Sequence, residues 1–328
     1  MAADQGHGGT RLSQPQDVPL YRCLTALPLR RRVVTIGSFD GVHLGHQKLL
    51  REANARGQAL GLESMVLTFE PIPSFVLRPD RFPGRICSFE EKAHRISKCG
   101  VDAITVLEFS RDFSEQTAEE FMTEMARRVH PVQMLVGEAF ALGRNREGTV
   151  SRLTDIAEDL DFDVVPVPRL QDGDTVISSS RIRSAVMTGD VALAHRYLGR
   201  PFRVTGPVIH GAHLGRTIGF PTANVEPSAD LVVPADGIYV SLAAIGEERQ
   251  TRPAMTYVGT RPTVNTGARL VETHLLDFDA DIYGRELKVD LLRRLREDRR
   301  FESLEMMIDQ LRDDEHATRD ALRSISMI

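Results

Sequence analysis

The chain has 328 residues, enough for two domains of ordinary size that each bury their own hydrophobic core. Its 41 Lys and Arg residues against 46 Asp and Glu residues give a net charge of -5, which argues against a protein built mainly to bind nucleic acid. The three cysteines, Cys23, Cys87 and Cys99, form neither an even set nor a CxxC pair. We therefore expect no disulfide framework, no structural zinc site and a location in the reducing cytoplasm.

Residues 1–30 are polar and rich in Gly, Gln and Asp, and their apolar stretch at residues 24–29 is too short for a signal sequence or a membrane span. We expect a loose N-terminal arm and no membrane partner.

Residues 31–198 alternate short apolar runs with segments whose apolar residues recur at helical spacing. The predicted strands lie at residues 33–36, 65–69, 104–107, 134–136 and 164–167, and the predicted helices at 47–60, 89–98 and 115–129. Residues 177–198, interrupted at Gly189, predict two further short helices. This alternation predicts an α/β domain with βαβ units and a parallel sheet covered on both faces.

The pattern changes after Gly199, Arg200 and Pro201, where we expect the joint to a second domain at residues 199–328. The predicted strands there are separated by Gly, Pro and Asn turns without intervening helices, at residues 203–209, 238–244, 254–258, 270–278 and 286–292. That order predicts a small antiparallel β-barrel. Leu304, Met307, Ile308 and Leu311 mark one face of a terminal helix.

The segment IGSFDGVHLGHQ, residues 36–47, links the first predicted strand to the first helix. His43 and His46 therefore fall at the carboxyl edge of a strand and near a helix N-terminus, where open α/β sheets bind ligands and where phosphate is favoured. Imidazole N–H groups can bond phosphate oxygens that gain charge, and Gly37 and Gly41 allow close approach of the backbone. An HxGH sequence alone is a weak signal.

The surrounding pattern makes the signal more specific. The distant segment SSSRIR, residues 178–183, offers a second possible anion clamp at a helix N-terminus. Together, GSFDGVHLGHQ and ISSSRIR resemble the HxGH nucleotidylyltransferase superfamily, and more specifically the FMN adenylyltransferase half of the bacterial bifunctional riboflavin kinase/FAD synthetase family. The resemblance extends from about Arg31 to the C-terminus and implies a Rossmann-like N-terminal domain.

This resemblance implies that an FMN phosphate oxygen attacks the α-phosphorus of ATP and releases pyrophosphate, with no covalent enzyme intermediate. His43 and His46 would stabilise the triphosphate as catalytic residues, and Mg²⁺ would neutralise charge. The implied ATP- and FMN-binding residues are Gly37, Phe39, Asp40, Gly41, Gly137, Arg144, Ser178, Ser179, Ser180, Arg181 and Arg183.

Three positions depart from the family pattern. Ile72 replaces a histidine between two prolines, Ala139 replaces Asp or Asn, and Ala141 replaces a polar or basic residue. Because losing a transition-state donor costs roughly 10²–10³ in rate, a weak or absent adenylyltransferase activity stays an alternative.

The predicted barrel begins with GPVIHGAHLGRTIGFPTANV, residues 206–225, which resembles the riboflavin kinase signature. Its glycines would let a loop wrap over a nucleotide, and His210 and His213 would add donors; barrel corners that need Gly and Pro are the alternative. Thr222 and Asn224 would present oxygens to Mg²⁺. The implied ATP- and flavin-binding residues are Gly211, Gly215, Arg216, Gly219, Pro221, Thr222 and Asn224.

Glu272, in the segment VETHLLDF at residues 271–278, matches the position of the general base in the riboflavin kinase family. It would take the proton from the ribityl 5′-hydroxyl as that oxygen attacks the γ-phosphorus of ATP. The alternative is an ordinary outward-facing strand residue. Tyr257 departs from the family, in which Asn is common.

The leading hypothesis is an enzyme of flavin cofactor synthesis that binds riboflavin, FMN and ATP. Its C-terminal domain would phosphorylate riboflavin to FMN, and its N-terminal domain would adenylylate FMN to FAD. The alternatives are a riboflavin kinase whose N-terminal domain only binds or regulates, and a non-enzymatic flavin sensor, against which Glu272 argues. The sequence leaves the oligomeric state open.

Overall fold

The computed structural model describes residues 18–211, 214–260 and 269–325. Residues 1–17 of the expected arm, His213, and residues 261–268 lie outside the described part of the chain. The strands are β1 (Leu20–Tyr21), β2 (Arg32–Ile36), β3 (Glu63–Glu70), β4 (Ala103–Glu108), β5 (Pro131–Gly137), β6 (Ala141–Leu142), β7 (Gly148–Thr149), β8 (Asp163–Val167), β9 (Gln171–Asp172), β10 (Thr175–Val176), β11 (Phe202–Ile209), β12 (Ala223–Val225), β13 (Gly237–Ile245), β14 (Arg252–Thr260), β15 (Arg269–Leu275) and β16 (Glu286–Glu297).

The α-helices are α1 (Leu44–Leu60), α2 (Pro73–Leu77), α3 (Phe89–Ser97), α4 (Arg111–Ser114), α5 (Ala118–Val129), α6 (Val150–Asp159), α7 (Ser179–Met187), α8 (Val191–Leu198), α9 (Leu214–Thr217) and α10 (Leu304–Ile325). Single 3₁₀ turns lie at Leu24–Ala26, Asp40–Val42, Pro79–Arg81 and Arg144–Arg146. Within the described residues, no helix is both long and apolar enough to cross a membrane.

The contacts within the chain form two compact units. The first contains the described residues up to Gly37, together with Leu49–Glu70 and Ala93–Val167. The second contains Ser38–Lys48, Pro71–Lys92 and the described residues from Pro168 onward. The linear division into domains at residues 31–198 and 199–328 stays a prediction.

The first unit is built on a six-stranded sheet in the order β1-β4-β3-β2-β5-β8. Every neighbouring pair is parallel, which confirms the predicted parallel α/β sheet. From β2 the chain continues through β3 and β4 to one side, and then crosses to β5 and β8 on the other. The strand order therefore reverses between β2 and β5, and such a reversal marks the usual ligand crevice of an open parallel sheet. The edge strand β1, Leu20–Tyr21, belongs to the segment for which we expected a loose arm.

Helix capping decided where the predicted helix at residues 115–129 begins. Thr117 accepts a hydrogen bond from the N–H of Glu120, and the Glu120 carboxylate accepts one from the N–H of Thr117. This capping box starts α5 at Ala118 and separates it from the short α4, because both side chains satisfy backbone groups that the helix leaves unpaired. The apolar face of α5 then buries Phe121 and Met125 against the sheet core.

Arg32 lies at the start of β2 with no exposed surface, although charged side chains are seldom fully buried. Its guanidinium pairs with Glu63 at 2.7 Å and donates to the carbonyls of Pro28, Arg30 and Val129. The buried charge is thereby both paired and hydrogen-bonded, and it ties the amino edge of the sheet to the segment before β2.

The second unit contains a closed barrel in the order β11-β12-β15-β14-β13-β16. All its strand pairs are antiparallel, as predicted. Pattern reading missed β12, since the three residues Ala223–Val225 are too few to show alternation. Inside the barrel the buried hydroxyls of Ser241, Thr256 and Thr273 bond one another at 2.7 and 3.1 Å, so their polarity is satisfied without water.

The predicted pair of short helices forms α7 and α8. Ser178 caps α7 by accepting from the N–H of Arg181, and Asp190 caps α8 by accepting from the N–H of Leu193. Gly199 ends α8 with a φ of 71°, a conformation that glycine adopts without strain. The terminal helix α10 is also present, and its residues Ile308 and Leu311 pack against the barrel, whereas Leu304 is exposed.

Candidate active sites

In the first unit, the implied nucleotide-binding glycines lie at the carboxyl ends of two adjacent strands. Gly37 follows β2 and Gly137 ends β5, and these strands pair with Thr35 opposite Leu135. A side chain at Gly137 would meet no atom within 4 Å, so the backbone there is open to approach. Arg144 is exposed in the 3₁₀ turn between β6 and β7.

In the second unit, the HxGH segment begins with a strained turn. Phe39, Gly41 and Val42 have φ angles of 49°, 78° and 42°. For a β-branched residue such as Val42 this conformation costs about 1–3 kcal/mol and persists only where neighbouring contacts fix it. A side chain on Gly41 would come within 2.8 Å of Ile86, so glycine is needed at that position.

His43 and His46 stack on each other, with ring centroids 3.6 Å apart and an interplanar angle of 18°. The backbone N–H of His46 donates to Nδ1 of His43 at 3.2 Å. Since that nitrogen accepts a hydrogen bond, neutral His43 carries its proton on Nε2 and can donate from there. Burial, with a smaller contribution from Arg200, lowers the pKa of His43 to about 4. The group is therefore a neutral donor at pH 7.

His46 lies between His43 and Phe39, whose ring meets it edge-on at 5.2 Å. The residue keeps some exposed surface, yet its Nδ1 is buried and has no hydrogen-bond partner among the described residues. Burial also lowers the pKa of His46 well below its usual value. An unsatisfied buried nitrogen is costly, and a bound ligand that offers it a partner would remove that cost.

Asp40 and Arg183, both implied as nucleotide-binding residues, form an ion pair at 2.5 Å in which Asp40 is buried and Arg183 is partly buried. Asp40 also accepts from the N–H of Ile86, and Arg183 also donates to the carbonyl of Gly84. Burial raises the pKa of Asp40, and the neighbouring Arg183 opposes that shift. Both side chains thus hold the turn before the histidines, and a direct contact with ATP or FMN stays a prediction.

The three serines at the start of α7 make different contacts. Ser178 caps the helix, and the Ser179 hydroxyl donates to the carbonyl of Asp40 at 3.0 Å. Ser180 and Arg181 are exposed. The structure therefore brings Ser179 and Arg183 to the turn that carries Asp40, and leaves Ser180 and Arg181 open to solvent.

In the barrel, Glu272 lies on β15 directly opposite Asn224 on β12 and Tyr257 on β14. Directly opposite residues on antiparallel strands point to the same face, so these three side chains share one surface. Their neighbours Val258 and Val271 belong to the barrel core, which places this surface on the outer side of the barrel wall. Tyr257 donates to Asp298 at 3.1 Å, and burial, followed by that carboxylate, raises its pKa.

Two of the implied glycines lie against the proposed oxygen donors. A side chain on Gly211 would come within 2.3 Å of Asn224 Nδ2, and one on Gly215 would meet the carbonyl of Phe220 at 2.3 Å and Thr222 Oγ1 at 3.2 Å. The absence of side chains at both positions lets the backbone of this segment approach Thr222 and Asn224 closely. A nucleotide-binding role for the segment stays a prediction.

His274 was missed by the sequence reasoning. It follows Glu272 by two residues on the same strand face, is 9% exposed, and contacts the ring of Phe220 edge-on at 5.5 Å. Its Nδ1 lies 2.7 Å from the carbonyl of Pro221, which only accepts, so His274 is the donor. It thereby fixes the backbone just before Thr222. The sequence signal that could have revealed His274 is its position two residues after Glu272, which places both side chains on the same face of a strand.

The other implied kinase residues lie on the segment between β11 and β12. Arg216 is exposed on α9, and Gly219 follows in a left-handed turn with a φ of 89°. His210 stacks on Tyr283 with centroids 4.0 Å apart. Among the described residues, no cluster of three or more His, Cys, Asp or Glu side chains has the geometry of a metal site.

The parallel sheet of the first unit and the closed barrel of the second unit are the folds of two classes of phosphorus-transferring enzyme, and comparisons with known proteins agree. The FAD synthetase family model matches residues 27–181, and the riboflavin kinase family model matches residues 198–322. The chain belongs to the bifunctional riboflavin kinase/FMN adenylyltransferase family.

Individual relatives match over nearly their whole length. The bifunctional riboflavin kinase/FMN adenylyltransferase of Escherichia coli K12 is 38% identical over 90% of this chain and 95% of its own. The protein of the same description from Bacillus subtilis is 34% identical over 90% of this chain and 93% of its own. A crystal structure described as a macrolide-efflux protein from Streptococcus pneumoniae superimposes with a TM-score of 0.82 at 33% identity, covering 92% of this chain and 98% of that one.

Proposed function

We propose that this protein catalyses both steps of flavin cofactor synthesis, from riboflavin to FMN and from FMN to FAD, with ATP as the second substrate of each. The observation that carries the proposal is the presence, in one chain, of both constellations: the stacked His43 and His46 behind a strained turn, and Glu272 opposite Asn224 on the barrel wall. The match of both family models over residues 27–181 and 198–322 supports it.

In the kinase step, the carboxylate of Glu272 takes the proton of the ribityl 5′-hydroxyl while that oxygen attacks the γ-phosphorus of ATP. The bond between the γ-phosphorus and the bridging oxygen breaks, and ADP leaves. Asn224 lies opposite Glu272, and the Gly211 and Gly215 backbone lies against Asn224 and Thr222, which supports a binding role for this segment.

In the adenylyltransferase step, a phosphate oxygen of FMN attacks the α-phosphorus of ATP, and pyrophosphate leaves. His43, neutral at pH 7, donates from Nε2 to phosphate oxygens that gain negative charge. A neutral donor needs no change of protonation during the reaction. His46, whose Nδ1 has no partner among the described residues, gains one from the same oxygens as their charge develops.

The donor set at the barrel site fits Mg²⁺. Thr222 offers a hydroxyl, Asn224 an amide oxygen and Glu272 a carboxylate, and this hard cation prefers oxygen ligands and keeps several waters. Thr222 and Asn224, against which the Gly215 and Gly211 backbone lies, would hold it. When bound, Mg²⁺ supplies positive charge that neutralises the ATP phosphates.

The state of the cysteines bears on the location of the protein. Cys23, Cys87 and Cys99 are free thiols, which supports a cytoplasmic location where thiols stay reduced.

Ile72, which departs from the family pattern, is buried at the start of α2 and is 3% exposed, so a hydrocarbon side chain at this position is stabilised by packing. The oligomeric state stays open.

One incubation tests the proposal. The purified protein receives riboflavin, ATP and Mg²⁺, and the flavins are then separated by chromatography. FAD is the expected product. FMN without FAD would instead identify a riboflavin kinase with an inactive first half, and unchanged riboflavin would identify a binding protein.

A further inference from the structure

Three consecutive backbone carbonyls immediately before His43 each accept a hydrogen bond from a side chain elsewhere in the second unit. The carbonyl of Asp40 accepts from Ser179 Oγ at 3.0 Å, that of Gly41 from Arg200 Nη1 at 3.0 Å, and that of Val42 from Gln47 Nε2 at 3.0 Å. Sequence reasoning placed neither Arg200 nor Gln47 among the candidate site residues.

The side chain of Arg200 is itself held in place by an ion pair. Its Nε donates to Glu91 at 3.1 Å, and the side chains of this pair are 11% and 14% exposed. Because the guanidinium is planar and rigid, fixing one edge on Glu91 fixes the direction in which the other edge donates. The carbonyl of Gly41 therefore has a defined position rather than a range of positions.

Gln47 forms a second link between the histidine turn and the end of α8. Its amide nitrogen lies 3.0 Å from both the carbonyl of Val42 and the carbonyl of Leu198. The next residue, Gly199, lies so close to Leu44 that a side chain there would come within 2.7 Å. The end of α8 and the two residues after it thus form the surface against which the histidine turn is held.

We propose that Arg200 and Gln47 are positioning residues of the adenylyltransferase site, which hold the strained turn at residues 39–42 so that His43 and His46 point correctly at the ATP phosphates. The turn needs such support, since Phe39 and Val42 both have positive φ angles. Neither residue touches the reacting atoms in this account; both act through the two histidines. The inference rests on the proposed function of the histidine pair.

The test compares the Arg200→Met variant with wild type and with the control variant Arg196→Met. Arg196 lies on α8, its side chain is 64% exposed, and among the ion pairs of the described residues it pairs only with Asp172. We expect Arg200→Met to lower kcat for FAD formation from FMN by roughly 10- to 100-fold, because small misplacements of catalytic groups cost that much. The KM for ATP should change by less than about 3-fold, since contacts made only in the transition state are affected. FMN formation from riboflavin should equal that of wild type and Arg196→Met.

A double-mutant cycle separates positioning from other roles. If Arg200 acts through the histidines, Arg200→Met lowers FAD formation by less than about 3-fold when His46→Ala is already present. Equal losses with and without His46→Ala, or an unchanged kcat in Arg200→Met, would overturn the inference. A wild-type protein that makes no FAD would instead overturn the proposed function.

A second variant tests the inference if Arg200→Met does not fold. Misfolding of Arg200→Met would be detected by circular dichroism and by the loss of FMN formation. Gln47→Met removes the bonds to Val42 and Leu198 and keeps a side chain of similar length. It should show the same fall in kcat with little change in KM. An unchanged kcat in Gln47→Met would overturn the inference as well.

Discussion

Glu272 and Asn224 lie directly opposite each other on the antiparallel strands β15 and β12, on the outer face of the barrel. Asn224 is 6% exposed, and Glu272 is half-buried beside it. A carboxylate and an amide held in register on rigid strands keep a fixed separation, which a loop would not ensure. This relationship makes Glu272 the first residue to test.

We expect Glu272→Gln to lower FMN formation from riboflavin by about 10²–10⁴-fold, because glutamine keeps the size of the side chain but cannot take a proton. FAD formation from supplied FMN should stay at the wild-type rate. The matched control is Glu286→Gln, which changes an exposed carboxylate on β16 of the same barrel. Kinase activity retained in Glu272→Gln would contradict the role of general base.

His46→Ala should have the opposite effect. If His46 is a donor to the transition-state phosphates, as proposed, its removal lowers FAD formation from FMN by about 10²–10³-fold and leaves FMN formation unchanged. The control is His316→Ala, which alters an exposed histidine on α10. If His46→Ala slowed both reactions equally, the division of labour between the two constellations would be wrong.

Gly211→Ala should impair the kinase reaction alone. The new methyl group would come within 2.3 Å of Asn224 Nδ2, so either the amide or the glycine segment must move. Steady-state rates of FMN formation should fall by roughly 10-fold or more, while FAD formation from FMN continues. Wild-type kinase rates in Gly211→Ala would show that the close approach has no functional role.

The low pKa of His43 predicts how stability depends on pH. An unfolded histidine binds a proton near pH 6.5, whereas folded His43 does so only near pH 4, so between these values the unfolded state holds more protons. The contribution of His43 is therefore complete above pH 6.5 and is lost as the pH falls toward 4, by about 3 kcal/mol in total.

Urea denaturation followed by circular dichroism at pH 7.5 and pH 5.0 measures this effect. The wild-type free energy of unfolding should fall by about 2 kcal/mol more between these pH values than that of His43→Gln, which has no titrating ring. An identical pH dependence in both proteins would argue that His43 titrates normally.

Arg32→Leu should destabilise the first unit by about 3–5 kcal/mol, because it leaves Glu63 and the carbonyls of Pro28 and Val129 without their buried donor. Arg31→Leu, at an exposed neighbouring position, should change the free energy of unfolding by less than about 0.5 kcal/mol. Thermal and urea unfolding of both variants give the comparison. Similar stabilities of the two would mean that Arg32 contributes no more than a surface arginine.

The sequence alone determined much of this protein. Hydrophobic periodicity located β2 to β5 and β8 within a few residues, and Gly and Pro turns located five of the six barrel strands. These features depend on neighbours along the chain, so a local pattern reveals them. The same holds for the place of the HxGH segment between β2 and α1 and for the two short helices after Ile177.

Only the tertiary structure decided how the side chains of those segments are used. Arg183 and Asp40, 143 residues apart, bind each other, and Arg200 reaches Gly41 across 159 residues. The register that sets Glu272 opposite Asn224 also joins distant strands, one of them too short to be predicted. Such contacts depend on how separate elements meet in space, and no periodicity in a single sequence records which donor will face which acceptor.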